Sequence, residues 1–223
     1  MVVLFRDGFE SNNFTAWTGT TNVPTVSSIY AHHGIYSMKV SRSATGGVRA
    51  YKTLGAAYSE IYMRTYVRFE DAFTTGWHGA GPRASGTANT VALHYALVDF
   101  PNQKWGIRNA TIATNVWETG TSAIVADTWY CIETYMKIDA ATGILRVWVN
   151  GVLKVDSTGA NTGIVLIDTV SANVFINTAE PVTRDIYFDC FVASDAYIGS
   201  ERRFLPLTRN MNPCFTSRTL QHM

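Results

Sequence analysis

Apolar and polar side chains alternate with a period of two along most of the chain. Ile61, Met63, Thr65, Val67 and Phe69 fall on one side of a run whose other side carries Tyr62, Arg64, Tyr66 and Arg68. This spacing predicts a strand with one core face and one aromatic, cationic face. The runs 90–98, 129–138, 145–149, 164–167, 174–176 and 186–193 predict further strands, with Gly, Asn, Asp or Ser at the breaks. Hairpins are expected at 139–143 and at Asn150-Gly151, because both residues of the Asn-Gly pair tolerate positive φ. Apolar residues nowhere keep three-and-four spacing for more than a turn or two, so helix is not expected.

The pattern therefore predicts an all-β, two-sheet antiparallel sandwich. Ile61, Met63, Val67, Val147, Val149, Ile186, Phe188 and Cys190 are expected to face inward. Residues 74–89 are rich in Gly, Ala and Ser and contain Trp77, His78, Pro82 and Arg83. They predict a long loop, and loops of that length are usually functional. Residues 1–199 are expected to form one domain. Residues 200–223 are expected to be an extended arm, because Pro206 and Pro213 block regular pairing. The arm mixes apolar Phe204, Leu207 and Phe215 with Arg202, Arg203 and Arg209. That mixture suits a segment that orders on a partner's surface.

Composition narrows the function. Of 223 residues, 47% are hydrophobic and only 16% charged, against about 25% charged in an ordinary soluble protein. A formal charge of +1 gives no strong global field, so nucleic acid is not an expected partner. No apolar run approaches the ~20 residues of a membrane span. The apolar start ends at Arg6 and Asp7, short of the ~7–15-residue core of a signal peptide. Three cysteines, Cys131, Cys190 and Cys214, do not make a disulfide framework. Cys131 and Cys190 are expected to be buried thiols.

Four segments resemble the concanavalin-A-like (laminin-G-like) jelly rolls and related carbohydrate-binding modules. They are Asp7-Gly8-Phe9-Glu10 running to Trp17, the glycine-led strand from His33 to Val40, the hairpin strand from Gly143 to Gly151, and the closing strand from Ile186 to Ala193. The resemblance implies a jelly roll over residues 7 to 199. In similar modules the first and last strands are bridged by a structural Ca²⁺, for which Glu10 and Asp189 are the candidates here; otherwise no cofactor is expected. The closing strand often carries two adjacent acids, and Cys190 stands at the second. Jelly rolls host many activities, so function must be argued from a site.

Aromatic faces stack on sugar rings, and arginine forks clamp carboxylates. The candidate glycan face is Tyr62, Arg64, Tyr66 and Arg68, joined by His94, Tyr135, Arg146 and Trp148 if these share one concave sheet. The bland alternative is a wet sheet face. Glycoside hydrolysis needs paired carboxylates, whereas Glu60, Glu70, Glu118 and Glu133 each stand alone. A polysaccharide lyase needs a group that neutralises a uronate and a Tyr or His that moves a proton. Arg64, Tyr66, His94 and Tyr95 supply those types, but the Gln-x-His pattern of lyases with this fold is missing. Trp77, Trp105 and Trp117 are expected at loops or strand ends, as contact surface or as packing.

Two readings follow. One is a non-enzymatic protein of an assembly, a phage virion decoration or attachment protein. It would join capsid or tail subunits through its arm and meet a cell-surface glycan, at a virion or extracellular location. The other is a secreted polysaccharide lyase.

Overall fold

The computed structural model describes residues 1–201. It contains fifteen strands and, among the described residues, no helix; none is therefore long and apolar enough to cross a membrane. The strands are β1 (Val3–Asp7), β2 (Gly19–Thr21), β3 (Thr25–Ser27), β4 (Ser37–Arg42), β5 (Gly46–Tyr58), β6 (Glu60–Phe69), β7 (His78–Gly86) and β8 (Val91–Asp99). They continue with β9 (Lys104–Asn109), β10 (Thr114–Trp117), β11 (Trp129–Lys137), β12 (Gly143–Val149), β13 (Val152–Ala160), β14 (Ile167–Ile176) and β15 (Arg184–Ser194). An eight-stranded sheet has the order β13-β12-β11-β6-β15-β4-β3, with β1 also on β15, and a seven-stranded sheet has the order β10-β9-β8-β7-β14-β5-β2. Every pairing is antiparallel, as the alternation predicts.

The core lies between the sheets. Ile61, Met63, Val67 and Phe69 of β6 and Val147 and Val149 of β12 meet Val48 and Ala50 of β5 and Val170, Ala172 and Val174 of β14. Asn150 and Gly151 both take positive φ (52° and 80°), closing the β12–β13 hairpin as expected.

Four expectations change. Residues 74–89 are not a loop throughout, because β7 runs through them at the centre of the seven-stranded sheet. Its sequence, His-Gly-Ala-Gly-Pro-Arg-Ala-Ser-Gly, has no β-branched residue, so it carries no strand signal of its own. Pro82 is tolerated there because the β7–β8 register breaks between Gly79 and Arg83. Residues 164–166 precede β14 rather than forming a strand, and Ile164 is 80% exposed.

Cys190 does not face the sandwich core. β15 carries one extra residue where Asp189 opposes Tyr66 and Val192 opposes Arg64. At this bulge Cys190 takes φ 50° and packs with Tyr66 and Cys131 on the outer side. Cys190 is also disulfide-bonded, so the expected free thiol is restricted to Cys131, which is buried and unbonded. Of the expected arm, Arg202, Arg203, Phe204, Leu207, Arg209 and Phe215 lie outside the described residues.

Candidate functional site: two outer sheet faces

Each sheet has an outer face, and the sequence points to that of the eight-stranded sheet. Tyr62, Arg64, Tyr66 and Arg68 of β6 do stand there beside Glu133 and Tyr135 of β11, followed by Arg146 and Trp148 of β12. Tyr62 stacks on Tyr135 with centroids 4.3 Å apart. The chain itself covers the middle of this face. Glu133 receives the amides of Ile198 (2.7 Å) and Gly199 (2.8 Å). Arg64 donates to Gly199 O and to Glu201, both at 2.8 Å, and the Glu201 amide donates to Tyr66 Oη at 3.0 Å. From the other side the loop before β4 lays His32 flat on Tyr66, centroids 3.6 Å apart, and Tyr30 against the Arg68 guanidinium, 3.6 Å from ring to Cζ. Arg64, Tyr66, Arg68 and Glu133 are all buried in consequence. Burial pushes the Glu133 carboxyl up to about 7 against the pull of its two amides and Arg64. Tyr135, Arg146 and Trp148 lie towards the β12 side; Tyr135 Oη donates to Glu60 at 2.6 Å, and Arg146 pairs with Asp156 at 2.8 Å.

The expected His94 belongs elsewhere. It sits on β8, in the other sheet, fully buried with Nδ1 2.7 Å from Met136 Sδ. Desolvation pushes it down to about 3, so the ring is neutral.

Glu10 and Asp189 are close neighbours around one loop. Glu10 receives the amides of Ile35 and Tyr36, and Asp189 those of His32, His33 and Cys190. Amide hydrogens aimed at carboxylate oxygens make a cradle for negative charge. A Ca²⁺ bridging the two acids would have to displace them. As arranged, this donor set fits backbone bracing better than a cation.

The outer face of the seven-stranded sheet is built differently. With Val48, Ala50, Ala84, Val170, Ala172 and Val174 in the core, strand alternation turns Arg49 and Tyr51 of β5, Arg83 of β7, and Ser171, Asn173 and Phe175 of β14 outward. In the ladder Arg108, Tyr95, Arg83, Ser171 and Tyr51 form one row across β9, β8, β7, β14 and β5. Asn173 and Arg49 are opposite one another beside it.

Three features distinguish this face. First, its cations lack counter-ions: among the described residues no carboxylate pairs with Arg49, Arg83 or Arg108. Second, Arg49 Nε, Arg83 Nη1, Asn173 Nδ2 and Ser85 Oγ are buried without a hydrogen-bond partner; Arg64 Nε and Arg68 Nη1 on the other face share this, but their guanidinium groups are held by Glu201 and Asp127 through another nitrogen. Burial and the neighbouring Arg49 push Arg83 down to about 10, which still leaves it cationic at neutral pH. An unpaired buried guanidinium is costly, and native proteins leave few polar groups in that state. Third, glycines let aromatic rings lie across the ladder. A Cβ on Gly79 would stand 2.8 Å from the Tyr95 ring, one on Gly106 2.5 Å from the Trp117 ring, and one on Gly19 2.7 Å from Tyr51 Oη.

Tyr95 lies between Arg83 and Arg108; burial raises its hydroxyl pKa, and the two arginines oppose that rise. Trp77 stands 5.7 Å from the Arg108 guanidinium. The loop carrying Trp77 is braced by buried Glu180, which accepts from Thr74, Thr75, His78 and Arg184 and is thereby held down at about 2. Trp77 and Trp117 are half-buried on this face, whereas Trp105 is core.

Of these residues the sequence reading pointed to Tyr95, as a type a lyase could use, and to Trp77 and Trp117, as contact surface or packing. It missed Arg49, Arg83, Arg108 and Asn173 as a group. Each stands in a different strand, and Arg83's strand had no strand signal.

No protein-family model matches the sequence, and no curated protein sequence matches it. Solved structures match the fold. The cellulose-induced protein Cip1 aligns with TM-score 0.67 at 17% identity, over 88% of this chain and 99% of its own. The alginate lyase vAL-1 from Chlorella virus aligns with TM-score 0.59 at 15% identity, over 79% and 92%. An alginate lyase Aly36B variant bound to alginate trisaccharide aligns with TM-score 0.51 at 14% identity, over 72% and 82%. At these identities the likeness is one of fold, and it agrees with the jelly roll that the sequence motifs resemble.

Proposed function

We propose that the protein binds an acidic polysaccharide on the outer face of the seven-stranded sheet. Arg83 and Arg49 hold a carboxylate there, and Tyr95, Phe175 and Tyr51 stack on sugar rings. The observation that carries this reading is the pair of guanidinium groups with unpartnered buried nitrogens and, among the described residues, no carboxylate partner, beside flat-lying aromatic rings. A bound carboxylate supplies the missing acceptors in a geometry the guanidinium fork matches. The alginate-bound neighbour and the lyase of the Chlorella virus support the choice of ligand class by analogy of fold. Calorimetric titration with soluble uronate polymers tests it, with neutral glucans as controls. Binding to acidic polymers that disappears in Arg83→Ala is expected; equal affinity for neutral glucans overturns it.

A lyase reading is favoured by one further placement, Tyr95 between Arg83 and Arg108. With the uronate carboxylate neutralised by arginine, the C5 proton becomes acidic, and Tyr95 can take it once its own hydroxyl proton has passed to water; because burial raises that hydroxyl's pKa, turnover is expected to rise towards alkaline pH. The electron pair left on C5 forms the C4–C5 double bond. The glycosidic C4–O bond breaks, and its oxygen takes a proton from the phenol or water. Ultraviolet absorbance of the unsaturated product, lost in Tyr95→Phe while binding persists, is the expected signature; binding without any absorbance change leaves a glycan-binding module.

The assembly role, as a virion decoration or attachment protein, rests on the arginines and apolar residues of the arm. Co-sedimentation of the full chain with particles, and its loss on truncation after Glu201, is the test. Unimpaired assembly of the truncated chain counts against it.

A further inference from the structure

Beside the arginine row, two residues along β8 and β9, runs a second row. Trp117 of β10 is opposite Gly106 of β9, which is opposite Leu97 of β8, which is opposite Gly79 of β7. Crossing from β7 to β10 takes three strand spacings, ~14 Å, more than one sugar ring occupies. At the β10 end a pocket of about 440 Å³ is lined by Asp99, Asn102, Lys104, Trp117 and Thr121, a size suited to a small ligand. Trp117 lies flat over Gly106, its Cε3 and Cζ3 atoms 2.5 and 2.9 Å from where a Cβ would stand. Asp99 is opposite Lys104 in the ladder, and it is held in place by the amide of Asn102 at 3.0 Å and by its Nδ2 at 2.9 Å.

The two neighbouring rows differ in charge. Arg49, Arg83 and Arg108 have no opposing carboxylate among the described residues. The Trp117 pocket carries one acid and one base and is balanced. An acid, an amide, an ammonium and a hydroxyl around an aromatic plate offer acceptors and donors to sugar hydroxyls. A second carboxylate placed there meets Asp99. We infer that the Trp117 pocket is a subsite for a neutral sugar, and that the ligand is a heteropolysaccharide in which acidic sugars are interrupted by neutral ones. This rests on the acidic-glycan reading above and adds the identity of the neighbouring residue.

Calorimetry with two kinds of polymer tests it: homopolymers of uronate (alginate, polygalacturonate) and polymers alternating a uronate with a neutral amino sugar (hyaluronan, unsulfated chondroitin). The wild-type chain is expected to bind the alternating polymers about tenfold more tightly, a factor set by one like-charge contact avoided and one ring stacked. Asp99→Asn, which keeps an acceptor for the turn amides, is expected to bring the two kinds together. Trp117→Ala is expected to weaken only the alternating polymers, again about tenfold. If Asp99→Asn and Trp117→Ala leave the ratio unchanged while Arg83→Ala abolishes binding to both kinds, the neutral subsite is wrong and the acidic-glycan reading stands. If the wild type binds no acidic polymer, both fall.

Discussion

The two outer faces carry the same residue types, arginine and aromatic, and differ in what satisfies them. On the eight-stranded sheet Arg64 has Gly199 O and Glu201, Arg68 has Asp127, and Glu133 has two amides of the segment that crosses it. Both faces keep single buried guanidinium nitrogens without a partner, Arg64 Nε and Arg68 Nη1 on one and Arg49 Nε and Arg83 Nη1 on the other, but on the seven-stranded sheet no carboxylate among the described residues pairs with Arg49, Arg83 or Arg108. A face whose cations are neutralised by its own chain is architecture. A face whose cations are buried without counter-ions fits an anion from outside the fold.

The largest effect should come from exchanging arginines between the faces. Arg83→Ala is expected to lower affinity for acidic polymers by more than tenfold, since a charge-assisted hydrogen bond contributes about 1.5–3 kcal/mol, while costing little stability. Arg64→Ala is expected to do the reverse. It leaves Glu201 and the strap without their cation, and breaking a buried pair costs about 3–5 kcal/mol, while binding is unchanged. Denaturant melts and titrations of the two variants separate these outcomes. Loss of binding in Arg64→Ala with Arg83→Ala unaffected would invert the comparison.

A smaller effect separates the faces by pH. Burial pushes both Glu133 and Asp189, on the covered side, up to about 7 in the folded chain, from ordinary values near 4. The folded state therefore holds protons that the unfolded state has lost, and stability falls as pH rises through 7. His94 and His78 are shifted down; their contribution grows with pH up to about 6.5 and opposes the acids below that. Between pH 6.5 and 8 the acids titrate without that opposition. A loss on the order of 1 kcal/mol per acid is expected there, and Glu133→Gln should halve the slope. Denaturation midpoints at several pH values read this directly; a flat wild-type profile across that window contradicts the burial argument.

Gly79→Ala should have a comparable or smaller effect, confined to the outer face of the seven-stranded sheet. Its Cβ would press on the Tyr95 ring and on Phe175 Cβ at 2.8 to 3.0 Å. Overpacking of this kind costs about 1–3 kcal/mol, and it tilts the ring that stacks on sugar, so affinity should fall with modest destabilisation. Unchanged affinity would remove Tyr95 from the binding surface. The smallest effect concerns metal: Glu10 and Asp189 already receive five backbone amides, so EDTA should leave the thermal midpoint in place. A midpoint that rises with added Ca²⁺ would restore the cation that the resemblance implies.

The sheet architecture was legible because β6, β11, β12 and β15 alternate strongly and Asn150-Gly151 marks its own turn. The same strength misdirected the site. Tyr62, Arg64, Tyr66 and Arg68 advertise a polar face in nine consecutive residues, and nothing local reveals that residues 195–201 return to cover it. The face of the seven-stranded sheet is assembled from residues of β5, β7, β8, β9 and β14, so no window of sequence contains it. β7 was hidden for a related reason. Its Gly79 leaves room for Tyr95 and Phe175, and that need is visible only across the ladder. The bulge at Asp189 is likewise a matter of register, and it turned Cys190 to the side opposite from that predicted by alternation.

Hydrogen exchange with and without a bound acidic oligosaccharide tests the central claim most directly. Slowed exchange confined to β7, β8, β9 and β14, with β6, β11 and residues 195–201 unchanged, is the predicted result. Protection on β6 and β11, or release of residues 195–201 on binding, would contradict it and return the site to the face that the sequence first suggested.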